Sequence, residues 1–576
     1  MRNCGFLVVF WTLHGVWFLL DQKIDYTLYT SKEIVCSGDV ILDKIGLSVA
    51  TYTIIYNLLL FSISELGHTR YRHQLRLVHN TMADENTPLL TDARQHQDAY
   101  SLDEYEREPH SLASEMVLLL YDGLPVSFSY MLQNSLQSAS VLLVGKMLDP
   151  DALSIVAQAY MLAMVSAWCL GIGGSTAFDS LASPAVSQER HKTVSLLYRR
   201  TCIILLILYI PILGAWWHAA KVLHMLGQEA ELGIGVQRFM RILALGAPGY
   251  ILFETTKKFC QVQGAMHAAT LTLCITSPIN AFMNYIFIRM YGLNGAAIAT
   301  SISYWLSFFI LAQYSRTCKP KTCWIPVPAI TLCDASAAFQ LLKLVIPGFF
   351  MVATEWWAFE IVALAVGRLA APALSAQSVI MTVDQILTTL PFGLGVAASM
   401  RIGHLLGRGD STSNVKALLT STRAATLVST IEGLCVLTSL MVARRGIAML
   451  FSDDMPTIAQ VAKVMPLVAA FQVFDGWAGV CGGVLRGVGR QETGAIINLV
   501  AYYGVALPLG IYLAFWANQG LQGLWFGQVL ALFLVGAGEL TLVNFAISWK
   551  REAGIASERT GRAGHGVPES REFLDP

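Results

Sequence analysis

The chain has 576 residues, of which 55% are hydrophobic and 14% are charged, and its formal net charge is zero. Soluble proteins carry about 25% charged residues, so this composition excludes an ordinary soluble domain, and the balanced charge gives no reason to expect a nucleic-acid partner. Charged residues crowd into short clusters, and the stretches between them reach the length of about 20 apolar residues that crosses a bilayer. The composition therefore indicates a protein embedded in the lipid bilayer.

The first part of the chain does not fit the pattern that follows it. Residues 6–20 and 45–63 are apolar, but nothing further along the chain repeats them. Met82 opens a run that is typical of a natural N-terminus. We expect translation to start at Met82, which makes residues 1–83 an extension of doubtful authenticity. Two extra helices or a signal-anchor are the alternatives.

Residues 84–114 are polar and acidic, which is typical of a disordered cytoplasmic segment. The run from Glu85 to Leu90 has an acid followed by three residues and two leucines, and it resembles a dileucine sorting signal. Cytoplasmic adaptors read such signals. The motif favours a vacuolar or lysosome-like membrane, and the plasma membrane is the rival location.

Twelve apolar stretches follow and predict an all-α polytopic membrane protein. Six spans form an N-lobe, residues 115–316, and six form a C-lobe, residues 341–548. A linker that contains three prolines, residues 317–340, joins the lobes. The polar tail, residues 549–576, is expected to be cytoplasmic and disordered. The predicted spans are 117–146, 154–178, 194–217, 236–256, 266–288, 294–315, 341–366, 374–399, 415–442, 458–484, 494–516 and 522–548.

Lysine and arginine in the short loops predict the orientation, because cytoplasmic loops carry an excess of both. When the residues before the first span are placed inside, the inside loops hold 14 such residues and the outside loops hold 6. Both termini are therefore expected to be cytoplasmic. The inside residues are Arg190, Lys192, Arg199, Arg200, Lys257, Lys258, Arg316, Lys319, Lys321, Arg401, Arg408, Lys416, Arg486 and Arg490.

An internal repeat relates the two predicted lobes. Pro125 matches Pro347 at an offset of 222 residues, and the run Gly171–Gly173 matches Gly393–Gly395 at the same offset. Two further matches are Gly264 with Gly489 and Gly292 with Gly520. Because six spans is an even number, the copies share one orientation and are related by an axis along the membrane normal. A substrate cavity between the lobes is the usual arrangement in such repeats.

Several motifs resemble the multidrug and toxin extrusion family, known as MATE. The run Glu355-Trp356-Trp357-Ala358-Phe359-Glu360 is similar to the Glu-Trp-Trp-aromatic-Glu signature of its eukaryotic members. Residues 391–399 resemble its eighth span, residues 483–491 its tenth, and residues 177–181 its Ala-Leu-Asp-Thr-Leu motif. The likeness covers roughly residues 115–548. It implies a twelve-helix fold and cation-coupled antiport of organic compounds.

Departures from the family pattern move the expected coupling site to the second lobe. The first span lacks the aspartate that many prokaryotic members carry, and its nearest polar residues are Gln133, Asn134 and Gln137. In the eighth span, Thr382 stands where some animal members carry a glutamate, and Asp384 lies two residues on.

Acidic residues inside spans are the candidates for chemistry, because ionisable groups at that depth are costly and rare. Glu355 and Glu360 lie in span 7, Asp384 in span 8 and Asp475 in span 10. They could bind substrate and protons, or they could pair with Ser, Thr or Arg neighbours for structure alone. Glu254, Glu432 and Glu539 are weaker candidates, because helix-end solvation or pairing explains them equally well.

Aromatic residues beside these acids could bind a cationic compound through their ring faces. Trp356 and Tyr503 are the candidates, with packing or lipid contact as the alternative.

The motifs that mark common enzymes and ATP-driven pumps do not occur in this sequence, and we expect neither activity. The sequence has no P-loop, zinc-protease or nucleophile-elbow motif, and its 11 cysteines show no paired metal spacing. We expect no cofactor and no metal. The leading hypothesis is a monomeric antiporter that exports organic cations in exchange for protons. A lipid flippase and a membrane receptor or structural protein without transport activity are the alternatives.

Overall fold

The computed structural model describes residues 111–225, 230–317, 324–326, 334–369, 371–452 and 454–563. The described part consists of helices and their connections, and it contains no strand. The expected start at Met82, the sorting motif and nearly all of the segment 84–114 lie outside the described residues, as does most of the linker. The all-α fold expected from the sequence is confirmed.

Six long helices make up the N-lobe. The first begins at Leu112, where the Ser111 side chain accepts a hydrogen bond from the Ser114 amide and so caps the helix. A short helix, Ala219–Met225, lies between the third and the fourth. The six are α1 (Leu112–Met147), α2 (Pro150–Ser187), α3 (His191–Trp217), α4 (Ala230–Val262), α5 (Ala268–Tyr291) and α6 (Leu293–Thr317).

Six more form the C-lobe, and a further helix follows them. The Asp334 side chain caps the first of these by accepting a hydrogen bond from the Ser336 amide at 3.0 Å. The helices are α7 (Ala335–Val366), α8 (Ala371–Leu387 and Thr389–Gly407), α9 (Thr412–Phe451), α10 (Met455–Val488), α11 (Gln491–Phe515), α12 (Leu521–Ala546) and α13 (Trp549–Ala563).

Of the twelve long helices in the described residues, α1 to α12, ten are long and apolar enough to cross a membrane. The exceptions are α1 and α4, which carry polar side chains along their buried faces. Several helices extend beyond the predicted spans. For example, α2 continues to Ser187, and its last turns, including Asp179 and Ser183, are buried within the protein.

The backbone reproduces the internal repeat. Gly264 and Gly489 end α4 and α10 with φ angles of +77° and +78°, and Gly292 and Gly520 precede α6 and α12 with φ angles of +58° and +54°. Left-handed backbone of this kind favours glycine, which lacks the Cβ that clashes there. The matched glycines therefore mark equivalent turns in the two lobes.

The lobes meet through two equivalent helix crossings. α2 packs on α7 at Gly173, where a Cβ atom would lie 2.6 Å from the carbonyl oxygen of Gly348. α8 packs on α1 at Gly393, where a Cβ atom would lie 2.5 Å from the amide nitrogen of Ser127. Since any side chain would clash, glycine at both positions lets the backbones approach closely.

The lobes also bind each other at the end that is predicted to face the cytoplasm. The Ser180 hydroxyl of α2 donates to the Arg486 carbonyl oxygen at 2.6 Å, and the Gln491 amide donates to the Ser180 hydroxyl at 2.8 Å. His404 of α8 lies 2.9 Å, through Nε2, from the Val262 carbonyl oxygen of α4. These contacts close the lobes at this end.

Helix α13 corrects the expectation of a disordered tail. Trp549, Ala553 and Ala556 are buried and pack with an apolar cluster that the C-lobe helices form. Their spacing of four and three residues places them on one helical face. The polar composition concealed this stripe, which is why the sequence favoured disorder.

Polar contacts hold α13 in place. Glu552 forms an ion pair with Arg490 at the start of α11. Arg559 donates to the Val488 carbonyl oxygen at 3.0 Å, and the helix also packs on α2 of the N-lobe. The first half of the polar tail is therefore part of the folded structure.

Candidate functional site

Glu355 lies on the seventh helix, close to where the lobes cross. Pro347 and Gly348 precede Glu355 on α7, and Gly348 packs on α2. The Glu355 side chain is half-buried, so it is partly shielded from solvent and remains accessible. This position suits a group that must bind and release a small ligand.

Two other predicted acids lie near Glu355. Asp384 of α8 and Asp475 of α10 are buried, and Asp475 interacts electrostatically with both Glu355 and Asp384. Asp384 accepts a hydrogen bond of 2.7 Å from the Gln472 amide. The structure thus places three of the predicted acids, from three helices, in one cluster, which we call the C-lobe acid cluster.

Glu360 is more peripheral. Its side chain is half-buried, and both it and Glu355 interact with the Cys169 thiol of α2. The five-residue spacing turns the two glutamates toward different sides of α7.

The aromatic candidates have structural contacts. The Tyr503 hydroxyl donates to the Thr354 carbonyl oxygen at 3.1 Å, which ties α11 to α7 next to Glu355. Trp356 is half-buried and packs against the apolar core of the N-lobe. The neighbouring Tyr502 is fully buried and interacts electrostatically with Glu355.

A π-helical stretch, Val500–Ala506, carries both tyrosines. Such stretches shift the following residues around the helix and occur often at functional sites. The same helix supplies Asn498, whose amide donates to the Met351 carbonyl oxygen of α7 at 2.8 Å. α11 is therefore fitted closely to the part of α7 that carries Glu355.

Two weaker candidates, Glu432 of α9 and Glu539 of α12, belong to the same neighbourhood. Glu432 interacts electrostatically with Asp475, and Glu539 interacts with Glu355. Glu539 is 0% exposed, and neither of its carboxylate oxygens has a hydrogen-bond partner within the described ranges. We include both in the C-lobe acid cluster.

Arg486 is the cation of this cluster, and sequence reasoning missed it. The loop assignment placed Arg486 at the cytoplasmic surface, but the structure buries it at 5% exposure and it interacts with Glu539 and Glu355. Its burial could not be read from the chain, because the acids that attract it lie on other helices.

The N-lobe contains a different polar cluster. Lys257 of α4 is 0% exposed and donates to Glu254 at 2.8 Å and to Gln133 of α1 at 3.0 Å. Its ammonium also lies 3.7 Å from the ring centroid of Tyr130. These four residues form what we call the N-lobe cluster. Next to it, Lys258 forms a 2.8 Å ion pair with Asp179 of α2.

The assignment of charged residues to the inside loops is therefore wrong for five of the fourteen. Each of the five side chains is buried within the protein. Each lies at an interface between helices or next to an acidic or polar group of another element. They are Arg200, Lys257, Lys258, Arg401 and Arg486.

Comparison with known proteins identifies this arrangement. The family model described as MatE matches the chain twice, over residues 125–286 and again over residues 347–512, once in each lobe. The chain belongs to the multidrug and toxin extrusion family. The two matches begin at the prolines that opened the internal repeat, Pro125 and Pro347.

Individual relatives agree with the family match. The chain is 31% identical over 453 residues to an uncharacterized transporter of Schizosaccharomyces pombe, covering 78% of this chain and 82% of that one. It is 32% identical to multidrug and toxin extrusion protein 1 of Xenopus tropicalis, covering 71% and 70%. The crystal structure of the eukaryotic MATE transporter AtDTX14 superimposes with a TM-score of 0.70 at 26% identity, covering 78% of this chain and 99% of that one.

The family match settles the general class of the protein. It is an integral multi-pass membrane protein of a transporter family whose members handle small organic compounds. The resemblance seen in the sequence is confirmed, and so is the twelve-helix fold with its duplicated lobes.

Proposed function

We propose that this MATE transporter exports organic cations in exchange for protons, and that the C-lobe acid cluster binds both. The observation that carries the proposal is the excess of acid in this cluster. Asp475 interacts with Glu355, Asp384 and Glu432, and Glu539 interacts with Glu355. Arg486 is the cation that acts on Glu355 and Glu539.

Buried carboxyl groups without a cation bonded to them are suited to such exchange. Loss of hydration penalises a buried carboxylate, and either a bound proton or a bound cation relieves the penalty. Proton and organic cation therefore compete for the same group. Glu355 suits this role because it is half-buried next to the crossing of the two lobes.

The proposed exchange uses alternating access, and the proton gradient sets its direction. An organic cation enters from the cytoplasm, the lobes rock, and a proton from the acidic side displaces the cation. The contacts at the end predicted to face the cytoplasm, such as Ser180 with Arg486, would then have to open in each cycle. We propose a vacuolar or lysosome-like membrane for this exchange, with the plasma membrane as the alternative, and a monomer as the working unit.

The acidic character of the cluster argues against lipid translocation as the main function. A lipid flippase needs basic groups for head-group phosphates, whereas acids predominate near Glu355. The receptor or structural alternative has no counterpart in the family match.

An uptake assay tests the proposal. Protein in liposomes with an acidic interior should accumulate the fluorescent cation ethidium, and collapse of the pH gradient with an ionophore should stop uptake. The same vesicles carrying a fluorescent phosphatidylcholine measure lipid translocation. Lipid translocation without gradient-driven ethidium uptake would favour the flippase, and neither activity would favour the receptor or structural alternative.

A further inference from the structure

The Arg486 side chain points in an unexpected direction. Arg486 lies in the last turn of α10, at the end that is predicted to face the cytoplasm. Long basic side chains near a helix end normally extend toward water. Here Nη2 donates at 3.4 Å to the carbonyl oxygen of Gly479, seven residues and about 10 Å back along the helix. The guanidinium therefore lies inside the C-lobe.

Two glycines leave room for the Arg486 side chain inside the C-lobe. A Cβ atom at Gly395 of α8 would lie 3.2 Å from Arg486 Nη2, and one at Gly482 would lie 3.5 Å from Nη1. The guanidinium carbon is 5.7 Å from the ring centroid of Phe392. The side chain thus occupies a groove between α8 and α10 that larger residues would close.

Acidic groups on other helices attract the guanidinium. Arg486 interacts electrostatically with Glu539 of α12, Asp179 of α2, Tyr130 of α1 and Glu355 of α7. Asp179 already forms its ion pair with Lys258. Glu539 is the strongest of these partners, and Arg486 is in turn the strongest charged partner of Glu355.

This attraction is not satisfied by direct bonding. A Cβ atom at Gly482 would lie 3.2 Å from Oε2 of Glu539 and 3.5 Å from Nη1 of Arg486, so the two groups face each other across this glycine. In the described part of the chain, Nε of Arg486 and both carboxylate oxygens of Glu539 lack hydrogen-bond partners. A cation held by weak, indirect contacts can be displaced more easily than one in a tight ion pair.

We propose that Arg486 is a tethered counter-cation that occupies the C-lobe acid cluster and competes with the transported cation. The inference rests on the proposed function and adds a residue that sets substrate affinity. While no substrate is bound, the guanidinium offsets part of the charge of Glu355 and Glu539. An arriving organic cation takes over this role.

The same residue also belongs to the contact between the lobes. Its carbonyl oxygen accepts the 2.6 Å hydrogen bond from Ser180 of α2. Displacement of the side chain by substrate thus acts on the residue whose backbone helps to close the lobes.

The first test measures substrate affinity, because the proposal predicts that removing the charge of Arg486 raises it. Arg486→Gln should bind ethidium about tenfold more tightly at pH 8, since a competing charge a few ångströms away is removed. Arg486→Lys keeps the charge and should stay near the wild-type value. Arg423→Gln, which removes an exposed arginine from α9, is the matched control. Unchanged or weaker binding by folded Arg486→Gln protein would contradict a competing role.

A melting experiment tests the counter-cation without any substrate. Arg486→Gln should lower the melting temperature in detergent at pH 8, because Glu355 and Glu539 lose their compensating charge. The double variant Arg486→Gln/Glu539→Gln also removes one acid and should regain at least about half of the lost melting temperature, as expected for directly coupled groups.

The two tests separate this inference from the proposed function. If ethidium uptake fails but the double variant regains its stability, the antiport proposal is wrong and the counter-cation stands. If the two substitutions lower the melting temperature additively, Arg486 only packs against its neighbours and the inference is overturned.

Discussion

The two lobes of this transporter share a backbone plan but distribute buried charge in different ways. In the N-lobe, Glu254 and Asp179 each have a lysine at 2.8 Å. In the C-lobe, the members of the C-lobe acid cluster interact through Glu355 and Asp475. Arg486 interacts with Glu355 and Glu539, and the Glu539 oxygens have no hydrogen-bond partner in the described structure. Equivalent helices thus form a neutral cluster in one lobe and an acidic cluster in the other.

This difference shows how a duplicated fold can separate stability from transport. A buried acid with a built-in lysine has no need of a further cation, so the N-lobe cluster is suited to holding α1 and α4 together. A buried acid without such a partner must find a proton or a ligand. We therefore propose that cation and proton exchange takes place in the C-lobe, and we expect opposite consequences for substitutions in the two lobes.

The largest expected effect on stability is in the N-lobe. Lys257→Met leaves Glu254 buried without its cation and should destabilise the protein by about 3–5 kcal/mol. The double variant Lys257→Met/Glu254→Gln removes both charges and should recover most of that loss. Thermal unfolding in detergent measures both.

The same double variant also tests whether the charges of the N-lobe cluster are dispensable for transport. The double variant should still take up ethidium in response to a pH gradient. Loss of gradient-driven uptake in a stable double variant would mean that the N-lobe takes part in coupling, and the contrast between the lobes would fail.

A smaller effect, on transport, is expected in the C-lobe. Asp475→Asn keeps the shape of the side chain and removes one of the interacting charges. Uptake should fall about tenfold, the scale of one charge-assisted interaction of about 1.5 kcal/mol, while the melting temperature stays close to that of the wild type. A large loss of stability with normal uptake would place Asp475 among the structural acids.

Much of the fold could be predicted from the sequence because its signals are local. Prolines such as Pro125 and Pro347 and turn glycines such as Gly264 and Gly489 keep their spacing in both lobes, and apolar stretches mark the helices. α13 was missed because its buried stripe has only a few small or aromatic residues in a polar segment.

The candidate site was predicted in part, and the missing part depends on long-range contacts. Glu355, Asp384 and Asp475 stood out as acids within apolar spans. Lys258 was assigned to a loop. Its partner Asp179 is 79 residues away in sequence, so nothing near Lys258 in the chain indicated that it is buried in an ion pair. Arg486 was also assigned to a loop, because the orientation prediction treats every lysine and arginine near a helix end as an exposed loop residue.

The proposed exchange depends on Glu355, and ethidium uptake by Glu355→Gln protein in liposomes tests that dependence. The substitution retains side-chain shape and hydrogen bonding but cannot bind a proton. We predict that the variant folds, reaches the membrane and shows only background uptake at every imposed pH gradient, whereas the matched control Glu360→Gln is only mildly impaired. Uptake by Glu355→Gln at the normal rate and with the normal pH dependence would exclude Glu355 as the coupling residue and move the coupling site to Asp384, Asp475 or the N-lobe.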